Sequence, residues 1–159
     1  MSDALFNAIR DQDPATVKNL LSSNPSLVNS RDPRGSTPLL LATYYGSDEV
    51  VTALLEIEQD VNARDASGNT ALMGVCFKGF EDIARQLIDN GADVNIRNSN
   101  GSSALIFAAT FGKTGIVKLL LDHGAETDAK DDRGFTALDH AKTQGMHEII
   151  SIIESKNAG

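Results

Sequence analysis

Paired apolar residues one helical turn apart recur along the chain at a fixed interval. The sets Val50/Val51/Leu54/Leu55, Ile83/Ala84/Leu87/Ile88 and Ile116/Val117/Leu120/Leu121 lie 33 residues apart, and each puts one apolar stripe on a short helix. Ahead of every set runs another short segment that opens at a hydroxyl residue, Thr37, Thr70, Ser103 or Thr136, and closes at Gly46, Gly79, Gly112 or Gly145. A hydroxyl there can cap a helix N-terminus, Pro38 is tolerated in a first turn, and glycine suits the left-handed residue that ends a helix. Two further helical patterns, Ala4 to Gln12 and Ala15 to Ser22, precede these units. Helices of about ten residues do not persist alone in water, so each pair must bury its stripe against the next pair.

The same interval governs the connections. Gly35, Gly68, Gly101 and Gly134 are 33 residues apart, as are Leu39, Leu72, Leu105 and Leu138, and three independent series with one period make the chain an array. Each glycine stands three residues after Asp32, Asp65, Asn98 or Asp131, the preferences of the fourth and first positions of a type I turn.

The pattern D-x-x-G-x-T-P-L, a small-residue helix, Gly, V-x-x-L-L and G-A-D-V-N resembles the ankyrin repeat family. It is legible in Asp32–Arg64, Asp65–Arg97, Asn98–Lys130 and from Asp131 onward, and Gly91-Ala92-Asp93-Val94-Asn95 matches the closing motif fully. The resemblance covers the whole chain. It implies an all-α fold: an ankyrin-repeat solenoid of stacked helix-turn-helix units with short β-turn or hairpin connections. One domain over 1–159 would hold repeats near 1–31, 32–64, 65–97, 98–130 and 131–159. Some positions depart from the family. Its usual histidine is replaced by Leu40, Met73, Ile106 and Asp139, and Glu58-Gln59 stands for Gly-Ala in the second repeat, so a local irregularity is expected there. The first unit lacks an opening turn and carries one extra residue around Pro25. In the last, Lys142 and Glu154 put polar groups where earlier repeats face a neighbour, so the array is expected to close at five.

Composition narrows the function. A net charge of −8 and a pI near 4.7 argue against nucleic acid, whose binders carry a basic excess. No stretch reaches the length of a membrane span, and Met1 to Pro14 show acids and no apolar run, so neither a membrane nor a signal peptide is expected. The lone Cys76 allows no internal disulfide, which suits a reducing compartment, and cytoplasmic placement is expected. Catalytic chemistry finds little purchase. His123 precedes Gly124 at a helix end, His147 falls near a helix start, and the neighbours Asp139 and His140 point apart on a helix. Cys76 takes a small-residue position between repeats and is expected to be a buried, inert thiol. Metal-ligand spacings and phosphate-cradling loops are absent. No cofactor, no metal and no enzyme activity are expected.

The resemblance implies instead a protein-binding monomer whose partner, another protein, lies on the concave face against the turn tips and the outer ends of the first helices. Those positions include Arg34, Ser36, Asn69, Asn100, Arg133 and Phe135 in the turns, and Tyr44, Tyr45, Phe77, Lys78 and Phe111 at the helix ends. Of eight aromatic residues, five fall on this surface and three (Phe6, Phe80 and Phe107) do not. Two fates are open to the five: anchors for a partner, or side chains folded back onto the next repeat. Arg31, Arg64, Arg97 and Lys130 form a second ladder just before the turns. The simpler expectation is that each pairs with a turn aspartate; the alternative is a cationic rim beside the aromatic strip. Within the D-V-N motifs, Asn62 and Asn95 are expected to support their own turns, although the family's asparagines there can be hydroxylated in animal cells. The reading is a scaffold, with a dedicated inhibitor or immunity-type regulator of one enzyme as the alternative.

Overall fold

The turn that opens each unit is built by one side chain. Oδ1 of Asp32 accepts the backbone N–H of Arg34 and Ser36, and Oδ1 of Asp65 those of Ser67 and Asn69. Asn98 and Asp131 do the same in the next two units. The backbone closes behind each, as when Asp32 N–H donates to Ser36 and Gly35 N–H to Asp32. Two amides collected by one oxygen explain why this position takes only Asp or Asn.

The computed structural model describes residues 2–158. Met1 and Gly159, the outermost positions of the expected first and last repeats, lie outside them. Among the described residues are ten α-helices, one 3-10 helix and no strand. In chain order they are α1 (Ser2–Arg10), α2 (Pro14–Ser23), the 3-10 helix (Pro25–Asn29), α3 (Pro38–Tyr45), α4 (Asp48–Leu55), α5 (Ala71–Lys78), α6 (Glu81–Asp89), α7 (Ala104–Thr110), α8 (Thr114–Asp122), α9 (Ala137–Thr143) and α10 (His147–Ala158). The extra residue near Pro25 is taken up by the 3-10 turn.

Consecutive helices pair, and the pairs stack. The first helices form one row (α1, α3, α5, α7, α9) and the second helices another (α2, α4, α6, α8, α10), each touching its neighbours. All four expected hydroxyl caps are made. Thr37, Thr70, Ser103 and Thr136 each accept the N–H three residues on. Asp139 returns the bond to Thr136 N–H in a capping box, its own use for a position where the family has histidine. At the other end Gly46 has φ +71°, and a Cβ on it would come 2.6 Å from the Phe80 ring. Only glycine satisfies both the left-handed backbone and the approach of that ring. Phe80 is therefore spent on packing.

Both rows of helices supply the core. Val50, Val51, Leu54, Ile83, Leu87, Ile116, Val117 and Leu120 are buried, in one cluster that runs from Leu5 to Ile153. Burying one such side chain is worth about 2 kcal/mol.

Two sequence expectations are corrected. The cations before the turns do not meet the turn aspartates. Arg31 donates to the carbonyls of Gly35 (2.6 Å) and Arg64 (3.0 Å), Arg64 to Arg97 (3.4 Å) and Arg97 to Gly101 (3.0 Å). Oδ1 of each turn aspartate is taken by turn amides, and Oδ2 of Asp32 and Asp131 faces Arg10 and His140 instead. The D-V-N asparagines likewise reach the next repeat instead of their own turn. Asn62 accepts from Asp93 N–H at 2.8 Å and donates to Gly91 at 3.3 Å; Asn95 accepts from Glu126 N–H at 2.9 Å and donates to Gly124 at 3.1 Å. Each is a two-bond staple between repeats.

Candidate functional site

A groove of about 750 Å³ opens between the turns and first helices of the second and third units. It is lined by Arg34, Ser36, Tyr44 and Tyr45 from one side and by Asn69, Phe77 and Lys78 from the other, seven of the eleven positions singled out in the sequence. Tyr44 and Tyr45 stand there because α3 ends at Tyr45 and Gly46 turns the chain away; Phe77 and Lys78 hold the equivalent places before Gly79. Arg10, Leu40, Leu41, Met73, Gly74 and Phe107 also contribute.

The rings are exposed but not idle. Tyr44, Tyr45, Phe77, Phe111 and Phe135 keep 36 to 60% of their surface, and they are the exposed large hydrophobic residues among the described residues. Phe6, by contrast, is buried, and Phe80 and Phe107 pack half-buried against the core. Tyr44 meets Tyr45 edge to face with centroids 5.3 Å apart, and Phe77 meets Phe111 at 4.7 Å. Lys78 Nζ sits 4.3 Å over the Tyr44 ring, a geometry that attracts the cation to the ring face. These contacts orient large apolar surfaces without hiding them.

The other four positions lie outside the groove, toward the C-terminal end. Phe111 continues the strip through its contact with Phe77. Arg133 stands 5.4 Å over Phe135, whose ring also faces His140 at 5.7 Å. Asn100 is at a turn tip, where its carbonyl accepts Asp132 N–H from the following turn.

Charges in the groove are unevenly committed. Asp32 gives one oxygen to its turn amides and faces Arg10 at 3.8 Å with the other. Asp65 gives one oxygen to Ser67 and Asn69. Among the described residues Arg34 and Lys78 form no ion pair.

The titratable groups outside the groove serve the scaffold. His140 pairs with Asp131, Nε2 to Oδ2 at 2.7 Å, and not with its sequence neighbour Asp139. Burial of Asp131 works to raise its carboxyl, but the N–H of Phe135, the His140 ring and the N–H of Arg133 together hold it below the usual carboxylate range. Cys76 is fully buried, and desolvation pushes its thiol up, away from reactivity. Among the described residues no group of three or more His, Cys, Asp or Glu could hold a metal ion, and no helix is long and apolar enough to cross a membrane.

One lining position carried a signal that the reading of aromatics and turns passed over. Leu41, Gly74, Phe107 and His140 occupy one register, 33 residues apart, and glycine breaks the series inside α5.

The comparisons agree with this architecture. The family model described as ankyrin repeats (3 copies) matches residues 5–98 and 76–158. No curated protein matches the chain.

Proposed function

The chain belongs to the ankyrin-repeat family, whose repeats are generally protein–protein interaction modules, and we propose that it is a scaffold that holds another protein against its concave face. The partner lies along the turn tips and the ends of the first helices. Its contacts are Arg34, Ser36, Tyr44, Tyr45, Asn69, Phe77 and Lys78 in the groove, continued by Asn100, Phe111, Arg133 and Phe135. The chain acts as a cytoplasmic monomer and contributes no catalysis of its own.

One observation carries this reading: among the described residues, the five large exposed hydrophobic side chains all belong to the turns and first-helix ends, on units that stack in a row. Rigid rings bury much area at small entropic cost, which makes them preferred anchors, and a monomer gains nothing from leaving them in water. The absence of catalysis is supported by the sealed thiol of Cys76 and by the engagement of His140 with a turn aspartate.

The test is capture of partners from the source lysate by wild type and by a Tyr45→Ala/Phe77→Ala/Phe111→Ala variant. The variant should keep its helical circular dichroism, since these rings are exposed, and lose the main partner. Retention of that partner at equal affinity would overturn the reading.

A further inference from the structure

We propose that the groove between the second and third units is a socket for one bulky apolar side chain, presented by an extended, acid-bearing segment of a partner protein, with Gly74 as its floor. This rests on the reading of the groove as a partner surface and names what that partner presents.

The first observation is the glycine itself. Its register is filled by Leu41, Phe107 and His140 in the other units. Gly74 lies inside α5 with no left-handed backbone to require glycine, and a Cβ built on it would meet nothing within 4 Å. A helix-interior glycine weakens its helix relative to almost any other residue. Neither backbone geometry nor close packing accounts for it here. What the missing side chain leaves is a notch between Leu41 and Phe107, both of which line the groove. At about 750 Å³ the groove exceeds any single side chain, so the segment that carries the anchor enters with it.

The second observation is the seam above the notch. Ser99 N–H donates to Ser67 and Asp132 N–H to Asn100, tying the third, fourth and fifth turns together. Among the described residues the equivalent bond, Ala66 N–H to the Arg34 carbonyl, is not formed. The glycines agree. A Cβ on Gly68 or Gly101 would run into the next turn at 2.9 or 2.7 Å, whereas one on Gly35 would meet nothing. The tips of the second and third turns therefore lack the tie that joins the later ones, and an extended backbone can use the carbonyl left free on Arg34, which lines the groove.

The third observation sets the charge of the occupant. Three bases and two acids line the groove of a chain whose net charge is −8. Both acids spend an oxygen on turn amides, while Arg34 and Lys78 are without ion pairs among the described residues. A carboxylate beside the anchor complements them.

The experiment titrates the isotope-labelled full chain with three blocked nine-residue peptides in a Ser/Gly background: a central Phe flanked by Glu, the same Phe flanked by Lys, and a central Ala flanked by Glu. The first should shift the Gly74 and Lys78 amide resonances and bind at least about tenfold more tightly than the others, as expected for one lost anchor or reversed charge pair. Gly74→Leu fills the notch. Its Tm should rise by about 2–4 °C while affinity for the first peptide falls by about tenfold or more. Should that variant fail to fold, Arg34→Glu/Lys78→Glu asks the same question from exposed positions, and preference should swing to the Lys-flanked peptide.

Equal binding of the three peptides, or undiminished binding to Gly74→Leu, overturns the socket. So does concentration-dependent self-association that Gly74→Leu abolishes, because the occupant would then be a second copy of the chain. If Gly74→Leu still captures the lysate partner that the triple aromatic variant loses, the socket fails and the broader reading stands; the reverse result sinks the strip and keeps the socket.

Discussion

The side-chain amide of Gln59 donates to the carbonyl of Leu54 at 2.6 Å, the place taken one repeat later by the backbone N–H of Ala92, which donates to Leu87 at 2.9 Å. The second unit lacks the Gly-Ala pair that swings a backbone amide back onto the helix end, and a side chain substitutes for it. Gln59→Ala should leave the Leu54 carbonyl with only the longer bond from Ile57 N–H at 3.2 Å and cost about 1 kcal/mol, read as a lower urea midpoint with unchanged slope. A neutral result would mean that water satisfies that oxygen equally well.

The inter-repeat staples make a sharper prediction. Asn62→Ala and Asn95→Ala each remove a donor and an acceptor that join successive repeats. Each should cost about 1–2 kcal/mol. Hydrogen exchange should rise first at Asp93 in one variant and Glu126 in the other. Loss of protection spread evenly over all repeats would contradict a local staple.

Acid sensitivity should trace to Asp131. Its folded pKa is depressed, so the stability it contributes is present above the unfolded value of about 3.9 and drains away as pH falls through the folded value. Wild type should therefore weaken below about pH 4 relative to Asp131→Asn. Urea unfolding from pH 7 to pH 3 checks this, and parallel curves for the two proteins would sink it. Asp13 and Asp139 are also held below the usual range, by bonds from Thr16 and Thr136, and act in the same direction, weakened by their exposure to solvent.

Cys76 reports on the core. Because it is buried and its thiol is pushed up, alkylation in native buffer should be slow and should track unfolding when urea is added. Fast modification of the folded protein would show that the third unit opens on its own.

The contact between Phe77 and Phe111 should be worth about 1 kcal/mol in a double-mutant cycle, with each single Ala variant still folded. A coupling near zero would mean that the two exposed rings merely pass each other at 4.7 Å.

Helices, turns and their stacking were legible because each rests on local chemistry repeated four times. An Asp or Asn gathers two amides, a hydroxyl caps, a glycine turns left-handed, and apolar pairs fall on one face. Such rules act within a few residues, so a one-dimensional pattern carries them whole. The same register put Tyr44, Tyr45, Phe77, Phe111 and Phe135 at helix ends and a turn but left open whether they face outward or fold back, and the structure leaves them exposed. Partners 29 to 33 residues away did not. That Arg31 chooses the carbonyl of Arg64 over Asp32, or Asn62 the amide of Asp93, depends on which groups the stacking brings within 3 Å and which are already satisfied. The notch at Gly74 was written in the register Leu41, Gly74, Phe107, His140, yet a glycine in a sequence marks a missing side chain and not a hollow. Only the packing of neighbouring repeats decides whether the space closes, and here no atom comes within 4 Å of where a Cβ on Gly74 would stand.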